Sequence, residues 1–409
     1  MKICLLSYRG EPYCGGQGVY IHNLSRELCN LGHEVHLLSG NPHPRLVDAV
    51  TLDKLESLDL YGVNRGRLPP RPLRILTPLN LYEFCAVLLG TFPEPFTFSI
   101  RAYLRLRQLL AGQRFDVVHD NQCLGYGLVL MKGLGLPVVA TIHHPVSVDR
   151  DIEIGQAGSR WWRFRMRRWY SFVAMQHRVG RRIDRIVTVS KRSADDIARD
   201  FSIPKDRIRV VYNGVDTDLF TPDDSVRKEA NSLITVGGAG QIKGLCYLLK
   251  ALHLLREELD VKLTIVGKPP TDGHFPANLI REYGLQDRVR FTGRVSAEAL
   301  VGHYSAAEVA VVPSLYEGFG FPAAEAMSCK LPLISTTGGA LPEVTGKDGE
   351  AGMLVPPRNA DALAAAIRRM LADEALRRKM GEAGRQRVVR KFTWREAAKK
   401  TVEVYQELM

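Results

Sequence analysis

The chain has 409 residues, 45% of them hydrophobic and 24% charged, which is enough for two domains with ordinary cores and excludes a disordered polyelectrolyte. Its formal net charge of +12 is uneven: residues 1–214 hold 30 basic and 19 acidic side chains, against 26 and 25 in the remainder, so the first half is expected to meet an anionic partner. Seven scattered cysteines with no CxxC pair argue against a structural disulfide framework or a cysteine-rich zinc site and fit a reduced, cytosolic setting, and no run approaches the roughly 18 apolar residues of a membrane helix.

In chain order, Ile3–Tyr8 reads as a buried first strand, too short and too quickly polar for a signal peptide. Gly16–Leu31 is a helical pattern with Tyr20, Leu24, Leu28 and Leu31 on one face, ended by Gly32. Val35–Ser39, Asp116–His119, Val138–Ile142 and Arg185–Ser190 are further strands, with helices between them. Residues 41–98 break the alternation; they are proline-rich and too long for an ordinary connection, which predicts a functional insertion or a mobile flap. The pattern restarts with strands at Leu233–Val236, Lys262–Val266, Arg288–Thr292, Val309–Val312 and Leu333–Ser335, and Leu245, Leu248, Leu249 and Leu252 mark the first helix there. An amphipathic helix over Thr393–Leu408 closes the chain. Alternation of this kind builds parallel sheets with helices on both faces. The fold class is therefore α/β, with two Rossmann-like, doubly wound domains facing a cleft and ligands at the carboxyl ends of the strands.

The most informative stretch is Glu317-Gly318-Phe319-Gly320-Phe321-Pro322-Ala323-Ala324-Glu325. Pro322 suits the opening of a helix. The backbone N–H groups from Phe319 to Ala323 are expected to lack intrahelical partners and to form a pocket for a phosphate or sugar oxygen. The flanking glutamates can accept hydrogen bonds from sugar hydroxyls. Phosphate donors beside hydroxyl acceptors point to a nucleotide-sugar site. Gly15-Gly16-Gln17-Gly18 lets backbone approach a phosphate at a helix start. It is not GxGxxG, and the second strand ends in Ser39-Gly40 with no acid for an adenosine ribose, which argues against a dinucleotide. Lys243 is a point charge beside a glycine-rich loop, suited to a leaving diphosphate. His143 follows an apolar strand. His144 points to the opposite face, and His119 reads as structural.

These pieces, in this order, resemble the family 4 retaining glycosyltransferases of GT-B fold. The resemblance rests on Glu317 and Glu325 as a Glu-x7-Glu pair, with Gly15-Gly16-Gln17-Gly18-Val19-Tyr20, Thr141-Ile142-His143-His144, Asn213-Gly214-Val215-Asp216, Lys243-Gly244, Gly338-Gly339-Ala340-Leu341-Pro342-Glu343 and Phe392-Thr393-Trp394. It spans almost the whole chain. It implies an N-terminal acceptor-binding domain over 1–214, carrying the insertion at about 41–98 and packed by the C-terminal helix 393–409. A donor-binding domain over 215–392 follows. It implies a UDP- or GDP-linked sugar donor and a hydroxyl acceptor, with no cofactor, no metal and no nucleic acid. His143, Glu317 and Lys243 become the catalytic residues. Gly15, Gly16, Gly18, Lys243, Arg294, Glu317, Gly318, Phe319, Gly320, Phe321 and Glu325 become the donor site, with Glu317 on the transferred sugar and Glu325 on the nucleotide ribose. One departure stands out. The arginine that relatives carry five residues before the lysine is Gly238 here. Asp216-Thr217-Asp218 is formally a DxD, but hinge capping is the better reading.

Arg160-Trp161-Trp162-Arg163-Phe164-Arg165-Met166-Arg167-Arg168-Trp169-Tyr170 opens a segment that, to Arg185, holds nine arginines and one acid, Asp184. On a helix, Trp162, Met166, Trp169 and Val173 make one stripe flanked by arginines, which suits an anionic membrane surface or an acceptor. A peripheral protein on the inner face of the membrane is the matching expectation. The pairs Asp195-Asp196 and Asp223-Asp224 read as solvated charge. Rival readings are a nucleotide-sugar epimerase of the same fold, a basic membrane-binding protein with a decayed donor site and, more remotely, a nicotinamide dehydrogenase. A glycosidase carboxylate pair is disfavoured by the phosphate-type loops.

Overall fold

A computed structural model describes residues 1–10, 16–61, 72–238, 240–269 and 275–409. Gly15, expected at the donor site, lies outside the described residues. Contacts divide the chain into two compact units. The first comprises Met1–Val189, Ser193–Val211 and Ala397–Met409, and the second comprises Ser190–Arg192 and Tyr212–Glu396.

Among the described residues the first unit holds a seven-stranded parallel sheet: β1 (Lys2–Ser7), β2 (Glu34–Ser39), β3 (Thr51–Lys54), β4 (Val117–Asn121), β5 (Val138–Ile142), β6 (Arg185–Thr188) and β7 (Ile208–Val210). Its order is β3-β2-β1-β4-β5-β6-β7. The chain starts in the centre of the sheet, extends one way and reverses across β1 to β4, which creates the switch point where doubly wound sheets bind ligands. Central strands run buried on both faces, as the continuous apolar run of Ile3 to Leu6 demands. The helix Gly16–Asn30 buries Tyr20, Leu24 and Leu28 against the sheet, with Leu31 past its end and half-buried.

The described part of the segment 41–98 holds regular structure. It contributes edge strand β3, paired to β2 from His36↔Thr51 to Ser39↔Lys54, and the helix Pro78–Leu88. An edge strand buries little, so Thr-Leu-Asp-Lys carries no apolar run to announce it. The helix Trp394–Gln406 ends within the first unit. There the Tyr405 hydroxyl meets His119 Nδ1 at 2.5 Å, and Glu407 pairs with Arg185 and Arg209 at 3.0 and 2.8 Å.

The second unit holds a six-stranded parallel sheet among the described residues: β8 (Ser232–Val236), β9 (Lys262–Val266), β10 (Val289–Gly293), β11 (Val309–Val312), β12 (Leu333–Thr336) and β13 (Met353–Val355), in the order β10-β9-β8-β11-β12-β13. The switch again lies beside the first strand, between β8 and β11. Leu245, Leu248, Leu249 and Leu252 bury one face of the helix Leu245–Leu255 in this core. No helix among the described residues is long and apolar enough to cross a membrane.

The basic aromatic stripe is not continuous. The helix Arg160–Trp169 ends at a single tight turn, Tyr170–Phe172. Trp169 stacks on Phe92 with centroids 5.1 Å apart and meets Tyr61 edge-on, and Val173 is buried. Trp162 is exposed instead, together with Trp161 and Phe164. The change of helix type rotates the chain, so residues four apart no longer share a face. Asp196 is also not solvated: it is buried and paired with Arg199.

Candidate active site

In the second unit the site is built where β8, β11 and β12 end. Lys243 Nζ donates to Glu317 Oε1 at 2.7 Å, and Ser314 Oγ donates to the same oxygen at 2.7 Å. The Glu317 side chain is only 11% exposed, while Lys243 is 34% exposed, so the pair presents its cation outward. Backbone packing fixes Glu317 from behind. Ala340 N donates to Glu317 O at 2.8 Å, and at Gly339 (φ 61°) a Cβ would lie 2.2 Å from that carbonyl. A side chain there would displace Glu317, which is why the Gly338-Gly339 pair follows β12. The loop carrying Lys243 is tied to the same strand end by Leu315 N donating to Ile242 O at 2.7 Å.

Gly320 adopts φ 96° and starts the helix Phe321–Ser328, with Pro322 in its first turn. Among the described residues the amides of Phe319, Gly320 and Phe321 have no hydrogen-bond partner, which leaves donors aimed out of the helix start. The expected run stops there, because Ala323 N already donates to Gly320 O at 3.0 Å. Gly318 is also engaged.

Glu325 lies within the helix Phe321–Ser328, and Glu317 in the loop before it. Glu325 Oε2 accepts from the Tyr304 hydroxyl at 3.2 Å, and burial pushes its carboxyl up to about 7, against the lowering effect of that hydrogen bond. It is therefore an acid poised to ionise near neutrality. Arg294 follows Gly293 at the end of β10 and is exposed.

In the first unit the polar cluster is uncharged. His143 follows β5 and is buried, and burial, with His144 and His119 nearby, pushes its imidazole down to about 3, so it is neutral. Its Nε2 lies 2.8 Å from Asn121 Oδ1. The amide of Asn121 cannot be the other way round, because its Nδ2 donates to the Gln17 carbonyl at 3.2 Å. The oxygen thus faces the ring, Nε2 carries the proton, and Nδ1 is left as an acceptor. Gln122 clamps the backbone: its Oε1 accepts from His143 N at 2.8 Å and its Nε2 donates to His144 O at 3.0 Å. Tyr20 packs edge-on to the ring at 4.7 Å. Gly16 opens the helix that carries Tyr20, and Gly18 is buried in it.

The neighbouring histidines have other work. His144 pairs with Asp149 at 2.8 Å. His119, also pushed down to about 3 by burial, is spent between Tyr405 and Thr141. Asp216 Oδ1 accepts from Leu219 N, the turn cap expected of the hinge. Among the described residues no group of three or more His, Cys, Asp or Glu is arranged to hold a metal ion.

The second unit thus brings together Lys243, Glu317 and the amides around Gly320, with Glu325 on the same helix. In the first unit the helix that begins at Gly16 reaches the His143 cluster through Gln17 and Tyr20. Asn121, Gln122, Ser314 and Tyr304 had gone unnoticed in the sequence. The polar run Asp120-Asn121-Gln122 at the end of an apolar strand was the available signal for two of them.

Residues 14–219 match the model of Glycosyltransferase Family 4, and residues 218–387 match that of Glycosyl transferases group 1. The chain is similar to the MMP alpha-(1->4)-mannosyltransferase of Mycolicibacterium hassiacum, at 46% identity over 100% of this chain and 98% of the relative. It is 27% identical to the D-inositol 3-phosphate glycosyltransferase of Kribbella flavida, over 98% and 92%. Among solved structures it resembles the sucrose-phosphate synthase of Thermosynechococcus elongatus, with a TM-score of 0.75 and 25% identity over 100% and 98% of the two chains. The Anabaena protein HepE, solved with UDP and glucose, shares the fold with a TM-score of 0.71 at 16% identity over 100% of both chains.

Proposed function

The chain belongs to the family 4 glycosyltransferases and has their GT-B fold, and from that premise we propose that it moves a mannosyl residue from a nucleotide-diphospho-mannose to a hydroxyl acceptor with retention of configuration. The observation that carries the reading is the Lys243–Glu317 pair at the strand ends, beside the open amides of Phe319 to Phe321. Charge that develops on a leaving diphosphate is best met by donors fixed before the reaction, and this arrangement has both a cation and oriented N–H groups. Similarity to the mannosyltransferase of M. hassiacum favours mannose as the sugar.

In this mechanism Glu317 accepts hydrogen bonds from the sugar's hydroxyls, and Glu325, when ionised, accepts from the ribose. His143 contributes the Nδ1 lone pair to a sugar hydroxyl, and its neutrality keeps it from repelling positive charge that develops at the anomeric carbon. The diphosphate leaves toward Lys243 and takes the acceptor's proton on the face it departs from. No protein nucleophile and no metal ion takes part in that scheme. The first unit binds the acceptor. The exposed Trp161, Trp162 and Phe164, with the Arg165 guanidinium 4.8 and 5.0 Å from the two indole centroids, favour an acceptor held at an anionic lipid surface.

The test is turnover of GDP-mannose, UDP-glucose and other nucleotide-sugars with acceptor present and absent, with and without EDTA and anionic vesicles. Mannosyl transfer that retains configuration, survives EDTA and sediments with vesicles is the expected result. A changed sugar without acceptor would instead identify an epimerase, and an inverted product would exclude this mechanism.

A further inference from the structure

Lys243 alone is a thin provision of charge for a diphosphate. Its ammonium is already paired with Glu317 at 2.7 Å, while a departing nucleoside diphosphate carries several negative charges. A second cation at the ends of these strands would be expected to share that load.

The register of β8 and β9 indicates where it sits. The strands pair Thr235↔Ile265 and Val236↔Val266, and Gly237 N continues the ladder by donating to Val266 O at 3.0 Å. Extending that register two residues past Val236↔Val266, beyond the strands themselves, sets Gly238 opposite Lys268. The backbones stay in touch that far: a Cβ on Gly267 would lie 2.5 Å from Gly237 O and 3.7 Å from Gly238 Cα. On the other flank, a Cβ on Gly237 would lie 3.6 Å from Lys243 Cδ. Bare glycine backbone therefore separates two lysines, and a Cβ at Gly238 would meet nothing within 4 Å. Lys268 is exposed and, among the described residues, has no hydrogen-bond or ion-pair partner. At the other end of these strands, Arg288 pairs with Asp260 and Arg290 with Glu229.

We propose that Lys268 is a second diphosphate-binding residue, reaching over Gly238 to the phosphates that Lys243 meets from the other side. The assignment rests on the reading of this site as a nucleotide-diphospho-sugar site. A lysine suits the task, because a point charge on a flexible four-carbon stem can follow phosphates that move as the bond breaks. The exposed Arg294, beyond Gly293, is one strand further out: Gly293 bridges Gly267, not Gly238.

Calorimetric titration of the full-length protein with UDP, GDP and the corresponding monophosphates tests this. Lys268→Ala should weaken binding of the preferred diphosphate about tenfold and leave the monophosphate within about twofold, since a charge on the outer phosphate is what is lost. Gly238→Arg in the Lys268→Ala background should restore diphosphate binding, because there is open space for the new side chain. Unchanged diphosphate affinity in Lys268→Ala, an equal loss for the monophosphate, or a loss that Gly238→Arg does not recover would each overturn the assignment. So would a diphosphate-selective loss in Arg294→Ala with none in Lys268→Ala. If Lys243→Ala alone loses binding, only Lys268 is dismissed. If the wild type binds neither nucleotide, the donor-site reading falls and takes this inference with it.

Discussion

The two polar clusters are built on opposite electrostatic plans. In the second unit a charged pair is kept apart from solvent on its acidic side and open on its basic side, with Glu317 only 11% exposed. In the first unit His143 is surrounded by an amide, a second amide and a phenol ring, with no ionised partner. A fixed cation stabilises charge that appears during a reaction, whereas a neutral ring held through one nitrogen fixes geometry and contributes the lone pair of the other. On the function proposed here, the second cluster would serve transition-state charge and the first orientation.

The largest effect that would break this contrast is on activity without stability. Lys243→Ala should lower kcat by about 10²–10³-fold, the range for removing one fixed donor to developing charge. Its cost in stability should stay at about 1 kcal/mol, because Lys243 is itself one-third exposed and the Ser314 hydroxyl still donates to Glu317. His143→Ala should show the reverse balance. Activity falls less, while stability falls by about 1–3 kcal/mol, since Asn121 Oδ1 is left buried without its donor. Denaturant unfolding beside steady-state kinetics measures both. Equal losses of activity and stability in the two variants would erase the distinction.

A sharper probe inverts the plan of the first cluster. Asn121→Asp places a carboxylate 2.8 Å from Nε2 and should raise the His143 pKa toward its ordinary value by stabilising the imidazolium. In the wild type, with a pKa near 3, kcat/KM should show no histidine titration between pH 5 and 8. In Asn121→Asp, kcat/KM should decline as pH falls through the new pKa, where Nδ1 becomes protonated and can no longer accept. Ring 15N shifts give the readout that a merely structural role would not move: in the wild type, Nε2 should be protonated and Nδ1 bare. The opposite tautomer would remove the assigned role of the Gln17–Asn121 contact.

Most of both sheets was legible because parallel strands buried on two faces are near-continuously apolar, as Val309–Val312 is and as Val138–Ile142 is but for Thr141. The helix start at Phe321 was legible from Gly320 and Pro322. The edge strand Thr51–Lys54 was not, since half-exposed strands need no such run. The break at Tyr170–Phe172 escaped too, because Trp169 is drawn inward by Phe92 and Tyr61, residues distant in sequence. Partnerships across the fold were the hardest to foresee. Glu317 and Glu325 stand as one Glu-x7-Glu pair in the sequence, yet one pairs with Lys243 and the other is buried beside Tyr304. No local pattern encodes which of two glutamates meets a lysine from 74 positions away.

That difference between the two glutamates yields the smallest and most selective effect. A carboxyl whose folded pKa is raised from its ordinary value to about 7 favours the protonated folded state. Its contribution to stability is complete below the ordinary carboxylate pKa and is lost as pH rises through 7. Donor binding should run the other way, because only the ionised form accepts two ribose hydroxyls. Nucleotide affinity should therefore weaken severalfold, up to about tenfold per pH unit, as pH falls from 8 to 6. Asp120, also raised to about 7 by burial, belongs to the first unit and titrates over the same range. Glu325→Gln separates the two. It should bind nucleotide more weakly at pH 8, with a flat profile down to pH 6. A profile that keeps its slope in Glu325→Gln would move the proton elsewhere, and would leave Glu325 as a buried acid held for the sake of Tyr304 alone.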